Sequence, residues 1–254
     1  MSRPLILITN DDGIHAKGLF HLIHCAKEFG DVYVVAPDTP QSGKSSAITV
    51  EAPLRITAHP DIDTAKVYSV SGTPVDCVKL ALHAITPRKP DMLLSGINHG
   101  SNSGVSVIYS GTMGAVMEGC IVGIPSIGFS LLHHSLTADF SLSDSFVKDI
   151  IAKALQHPLP EGICLNVNIP ALVVPEGVRA CRAAKGYWTE EYREYFTPSD
   201  SPFYWLTGRF VNTEPQATDT DEYWLDRKYI SVVPVAPYLN ANDRVTEIAN
   251  IYDE

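Results

Sequence analysis

An apolar run, Leu5-Ile6-Leu7-Ile8, ends in Thr9-Asn10-Asp11-Asp12-Gly13, and this junction constrains the chain more than any other stretch. The run has no polar alternation and breaks at a turn signal, which predicts a buried parallel strand over residues 4–9. Gly13 permits the turn that follows. Two adjacent aspartates at the carboxyl end of a buried strand need relief. At roughly 4 Å and an effective dielectric near 20, two carboxylates repel by about 4 kcal/mol. A divalent cation, a shared proton or full exposure to water would supply it. Open α/β sheets bind ligands outside the carboxyl ends of their strands, so the cation is the sharper reading. A solvated loop with an aspartate capping the next helix stays open on the pair alone.

The pattern beyond this junction alternates. A helix is expected over 16–29, with Leu19, Ile23 and Ala26 on one face and Gly30 as its C′ residue. Strands are expected at 31–36, 66–70, 91–95, 124–129 and 163–169, and helices at 74–85, 112–119 and 143–156. Pro74 suits the first turn of its helix. Such alternation predicts an α/β fold: a Rossmann-like, mostly parallel sheet with helices on both faces. Right-handed crossovers then bring the polar loops after residues 8, 36 and 95 to one edge. We read residues 1–254 as a single domain, with a core over about 1–185 and an aromatic-rich extension over about 186–254. Twelve of the 22 aromatic residues fall between Tyr187 and Tyr229. They suit an oligomerisation arm, a lid, or a small satellite core.

The net charge of −10 opposes binding to nucleic-acid duplexes and anionic membranes, which needs clustered Lys and Arg. Neither a signal peptide nor a membrane-spanning stretch is legible. The cysteines, Cys25, Cys77, Cys120, Cys164 and Cys181, are odd in number and have no CxxC spacing. They read as small buried hydrophobes in a reducing compartment rather than as a disulfide framework or a zinc site, with the cytoplasm the expected location.

The chemistry-bearing residues lie in the three loops. The second, Gln41-Ser42-Gly43-Lys44-Ser45-Ser46, resembles the tail of a phosphate loop but has Asp38 where a Walker motif needs its first glycine. Ser42 could still place a hydroxyl against a metal or phosphate, or be a plain turn serine. The third, Ser95-Gly96-Ile97-Asn98-His99-Gly100-Ser101-Asn102-Ser103-Gly104, offers Asn98 and Asn102 as neutral oxygen ligands or amide donors. Tyr109-Ser110-Gly111-Thr112 then precedes a helix, where free backbone amides make an anion site and Ser110 or Thr112 could equally be simple caps. Two carboxylates, a hydroxyl and a carboxamide are hard ligands, suited to Mg²⁺, Mn²⁺ or Ca²⁺. The histidines, among them His15, His99, His133 and His134, lack HExxH spacing and read mainly as structural or surface residues. An oxygen-held cation beside amide and hydroxyl donors is what phosphoryl transfer to water requires.

Five blocks together resemble the SurE (survival protein E) family of metal-dependent nucleotidases. They are Ile8-Thr-Asn-Asp-Asp-Gly-Ile14, Ala36-Pro-Asp-Thr-Pro-Gln-Ser-Gly43, Ser71-Gly-Thr-Pro-Val-Asp-Cys-Val78, Ser95 to Gly104, and Tyr109-Ser-Gly-Thr112 with Glu118-Gly119. The resemblance implies one divalent cation per subunit, Mg²⁺, Mn²⁺ or similar, held by Asp11, Asp12, Ser42 and Asn98. It implies substrate binding by Asn98, Asn102, Ser110, Gly111 and Thr112, and catalysis by Asp11 and Asp12, with Asp11 orienting or deprotonating a water. The expected reaction is hydrolysis of nucleoside 5′-monophosphates, extending to 3′-nucleotides and polyphosphate. The expected partners are a small phosphomonoester and a second copy of the chain, as a homodimer or homotetramer. Val233 stands where the family usually has threonine, and the tail after Pro234 is longer than expected. A nucleotide- or metal-sensing protein without turnover is the alternative reading.

Overall fold

The computed structural model describes residues 3–135 and 137–253, so the two ends of the expected 1–254 domain and residue 136 lie outside it. The elements run β1 (Leu5–Thr9), α1 (Lys17–Ala26), β2 (Asp31–Pro37), β3 (Ile56–Ile62), β4 (Ala65–Val70), α2 (Pro74–Leu80), β5 (Met92–His99), α3 (Gly111–Ile121), β6 (Ser126–Leu131), α4 (Asp144–Gln156) and β7 (Cys164–Ile169). They continue with β8 (Val178–Ala180), β9 (Gly186–Thr189), β10 (Tyr192–Phe196), β11 (Pro202–Leu206), β12 (Arg209–Asn212), α5 (Asp221–Asp226), β13 (Ile230–Val235) and α6 (Val245–Tyr252).

Nine strands form one sheet in the order β3-β4-β2-β1-β5-β6-β7-β13-β8. β1 pairs in parallel with β2 on one side and β5 on the other, so the strand order reverses at β1. Two crossovers diverging from adjacent strands leave a crevice at their carboxyl ends, where such sheets bind ligands. The antiparallel pairs in this sheet are β3 with β4 and β13 with β7.

The parallel strands are apolar at successive positions because both faces are covered. Ile6 and Ile8 of β1 enter a core with Leu19, Leu22 and Ile23 of α1 and Val147 and Ile151 of α4. Leu7 between them enters the opposite core, with Cys77 and Val78 of α2 and Met113 and Val116 of α3. β5 repeats the pattern, Met92 and Leu94 on one side and Leu93 on the other. Each fully buried aliphatic side chain contributes about 1.5–3 kcal/mol. Leu19, Ile23 and Ala26 are buried as their spacing predicts.

Several boundaries differ from expectation. α1 ends at Ala26, and Lys27 after it is right-handed. Gly30 is therefore not its C′ residue; a Cβ there would meet Pro4 O at 2.4 Å, so close approach to the strand entering the sheet explains it. The helix expected over 74–85 is α-helical only to Leu80, and a wide π turn spans Ala81–Ile85. The strand expected to stop at residue 95 runs to His99, which places Asn98 on β5 rather than in a loop. β3 has no counterpart among the expected strands. It is an exposed antiparallel edge containing Pro60, with no buried face to impose an apolar period.

The aromatic segment forms two antiparallel ribbons, β9 with β12 and β10 with β11. In the inner ribbon Phe210 packs on Trp188 and reaches Gly104. In the outer ribbon Tyr192, Phe196, Tyr204, Trp205 and Leu206 are exposed. The chain then returns to the main sheet, with β13 between β7 and β8.

Candidate functional site

The three polar loops meet at the carboxyl edge of β1 and β5. The first is held by its own turn: Asn10 Nδ2 donates to Gly13 O at 2.9 Å, and Ile14 N–H donates to Pro37 O at 2.8 Å. The second is tied to the first by Gln41 N–H, which donates to Asp11 O at 2.7 Å. It is tied to the start of α3 as well, since Ser45 Oγ donates to Ile108 O at 2.6 Å. Ser42, next to Gln41, is exposed.

Asp11 is 3 % exposed and faces the N-terminus of α3. Thr112 Oγ1 donates to its Oδ1 at 2.6 Å. Gly111 is required here, because a Cβ would meet Asp11 Cβ at 2.8 Å and Oδ2 at 3.0 Å. Burial pushes the Asp11 carboxyl up to about 6; the Thr112 hydrogen bond opposes this and the Asp12 charge adds to it.

Asp12 points toward β5. Its Oδ2 accepts from the His99 backbone N–H at 3.1 Å and lies 3.0 Å from His99 Nδ1. The His99 ring stands edge-on to Phe140, and its Nε2 is buried without a hydrogen-bond partner. Asn98 uses Nδ2 on Gly100 O at 2.9 Å, leaving Oδ1 as its ligand atom.

Ser110 caps α3, its Oγ accepting from Met113 N–H at 3.0 Å, so its hydroxyl behaves as a helix cap and the anion-binding capacity there lies in backbone amides. Asn102 Nδ2 donates to Ser130 Oγ at 2.7 Å. A hydroxyl donates as readily as it accepts, so turning the amide over places Oδ1 on Ser130 and frees Nδ2 for an anion.

Residues that sequence reasoning did not single out hold this third loop. Asn168 Oδ1 accepts from Asn102 N–H at 2.8 Å, and Asn166 Nδ2 donates to Asn102 O at 2.8 Å. Their period-two spacing at the end of β7 was the available signal. Asp221, at the start of α5, takes Gly104 N–H and Ala184 N–H at 2.8 Å each. Glu222 accepts from Ser103 Oγ at 2.5 Å, and burial raises its carboxyl above the usual range despite that bond.

The donor set fits a hard dication. Asp11 is a desolvated carboxylate beside a second one, and Asn98 Oδ1 would add a neutral oxygen; Ser42 is exposed on the adjoining loop, and its hydroxyl would have to turn inward to join them. Asn10 Oδ1 is also buried without a partner. A cavity of about 690 Å³ lies elsewhere, lined by Cys120, Pro125, Leu159 and Ile163 before β6 and β7. It carries no paired acids, and the two aspartates and the amide-rich helix start point to the carboxyl edge instead.

Fold and site together define an α/β protein with paired carboxylates beside an amide-rich helix start at a topological switch point. The family model for "Survival protein SurE" matches residues 6–190, and the chain belongs to that family. The "5′-nucleotidase SurE" of Phocaeicola vulgatus is 48 % identical over 248 residues, covering 98 % of this chain and 96 % of the relative. That of Christiangramia forsetii is 50 % identical over 253 residues, with 98 % and 96 % covered. The crystal structure of SurE protein from Aquifex aeolicus superposes with a TM-score of 0.84 at 35 % identity, covering 98 % of this chain and all of that one.

Proposed function

We propose that the chain is a 5′-nucleotidase that hydrolyses nucleoside monophosphates with water and one divalent cation of the Mg²⁺ or Mn²⁺ type. The observation that carries this is the adjacency of a buried and a half-buried carboxylate to the amide-rich start of α3, where Asp11 meets Gly111 and Thr112. The name "5′-nucleotidase SurE" borne by near-full-length relatives supports it. Asp11, Asp12, Asn98 and Ser42 would hold the cation, which when bound supplies positive charge for the phosphoester and acidity for a water.

The remaining steps belong to side chains and amides of this chain. The backbone N–H groups of Ser110, Gly111 and Thr112, with Asn102, would hold the equatorial phosphate oxygens. Thr112 fixes the Asp11 carboxylate through Oδ1, so that Asp11 would orient the attacking water and take its proton. His99 fixes Asp12. A 3′-nucleotide or the end of a polyphosphate presents the same dianion and would use the same pocket.

The exposed aromatics of β10–β11 support assembly of the single 1–254 domain into a homodimer or homotetramer. All five cysteines are free, in keeping with a reducing cytoplasm. No helix among the described residues is long and apolar enough to cross a membrane.

Phosphate release from AMP tests the reading. Protein stripped with EDTA should be inactive, recover with Mn²⁺ or Mg²⁺, and lose on the order of 10³-fold in kcat as Asp12→Asn. AMP binding without phosphate release at saturating metal would instead favour the sensor.

A further inference from the structure

The other face of α1 carries ligand-type side chains that the carboxyl edge does not use. His21 and Cys25 stand one helical turn apart on α1, and Asp144 opens α4. His21 Nε2, Cys25 Sγ and a carboxylate oxygen of Asp144 all lie within 4.8 Å of one another. His21 Nε2 touches Asp144 Oδ1, yet this buried nitrogen has no partner with hydrogen-bond geometry. Cys25 Sγ faces the same oxygen at 4.0 Å. No side chain caps α4: the Ser143 hydroxyl donates to Phe140 O at 2.7 Å, and Asp144 is turned toward α1. Cys25 is a wholly buried member of the core under α1, and its thiol lies against both a carboxylate and an imidazole.

We propose that His21, Cys25 and Asp144 form a second cation site, suited to Zn²⁺, distinct in chemistry from the all-oxygen site at the end of β1. An imidazole nitrogen, a thiolate and a carboxylate are a borderline-soft set that zinc takes tetrahedrally, with water in the fourth place. Mg²⁺ and Mn²⁺ prefer oxygen. The side chains of His21 and Asp144 are 17 % and 34 % exposed, so an ion can enter from solvent. Burial lowers the pKa of His21 against the pull of Asp144, which keeps its imidazole neutral and its lone pair available. Burial pushes the Cys25 thiol up to about 12, with Asp144 adding and Lys148 opposing. On binding, a Zn–S bond forms, the S–H bond breaks, and the thiol proton passes to the buffer. Lys148 is itself paired with Glu28. Once filled, the site clamps α1, which begins four residues after Gly13, onto α4.

Cobalt spectroscopy tests this without reference to turnover. Stripped wild-type protein is first given saturating Mg²⁺ to fill the oxygen site, then titrated with Co²⁺. A near-ultraviolet thiolate-to-cobalt band should appear, with release of a proton and a rise in Tm. The band should vanish in Cys25→Ser and in His21→Gln; if Cys25→Ser fails to fold, the partly exposed His21 carries the comparison. Absence of the band in the wild type, or its survival in His21→Gln, would overturn the proposal. AMP hydrolysis in Mg²⁺ by His21→Gln should match the wild type, which separates failure of this site from failure of the nucleotidase reading.

Discussion

His99 grips Asp12 Oδ2 through both its backbone N–H, at 3.1 Å, and its ring Nδ1, at 3.0 Å. The ring is pinned edge-on to Phe140, so a carboxylate that would otherwise swing is held in one orientation. Groups that orient a metal-binding carboxylate are typically worth about 10–100-fold in metal affinity or activity. His99→Ala should therefore raise the Mn²⁺ concentration needed for half-maximal phosphate release by about that factor. His99→Asn, whose amide can reach the position of Nδ1, should recover part of it. An unchanged metal titration in His99→Ala would remove His99 from the site.

Asp11 links metal affinity to pH. Burial, against the Thr112 hydrogen bond and with the Asp12 charge, raises its carboxyl to about 6 in the metal-free protein. Below that pH a proton occupies the carboxylate and the metal must displace it. Mn²⁺ affinity measured by calorimetry should be nearly level above pH 7 and fall by about tenfold per unit below about 6. Thr112→Val removes a bond that favours the charged form, so the onset of the fall should move to higher pH. The same raised pKa makes the metal-free fold less stable as pH rises from about 4 through 6, because the unfolded carboxyl ionises first.

Asp76 behaves in the opposite sense. It closes a capping box at α2, taking Thr73 N–H at 2.9 Å while Thr73 Oγ1 takes Asp76 N–H at 3.1 Å. Thr49 Oγ1 also donates to it at 2.6 Å. Burial raises its carboxyl, but the bonds from Thr49 and Thr73 outweigh burial and the net shift is downward. A depressed carboxyl stabilises the fold above its unfolded pKa, near 4, and that stability is lost as pH falls through the lower folded value. Asp76→Asn should cost about 1–3 kcal/mol at pH 7 by denaturant titration, and less as pH falls below about 4. Equal cost at both pH values would show that charge plays no part.

The outer ribbon, β10–β11, exposes Tyr192, Tyr195, Phe196, Tyr204 and Trp205 on a hairpin of the kind that associates. Replacing residues 191–207 by a short turn leaves the β9–β12 pair and the sheet strands in place. Light scattering should then report a smaller assembly than the parent. The parent mass in the shortened protein would assign assembly to another surface.

The sequence was most legible where burial is two-sided. β1 is apolar over Leu5–Ile8, β2 over Val32–Ala36 and β5 over Met92–Leu94, and the Asp11-Asp12 pair marks the strand end at the switch point. Asp11, Gly111 and Thr112, expected in separate roles, lie against one another. The polar frame behind them was not legible. Asn166 and Asn168 read locally as ordinary strand residues, and only the pairing of β6 with β7 brings them under Asn102. Asp221 is 117 residues from the Gly104 N–H it accepts, a relation no local pattern encodes. The end of β5 was missed because Gly96 and Asn98 carry turn-like composition while lying in a strand. Spacing assigns His99 no role, because no metal-ligand pattern includes it; the structure places it against Asp12.

A dication at the carboxyl end of β1 underlies the proposed hydrolysis. Anomalous diffraction from crystals grown with Mn²⁺ and a phosphate mimic tests it most directly. One manganese peak per subunit is predicted in that crevice, contacting Asp11 and Asp12, with the mimic against the amides of Gly111 and Thr112. A catalytically active crystal with no peak there, or with manganese bound only elsewhere, would contradict it.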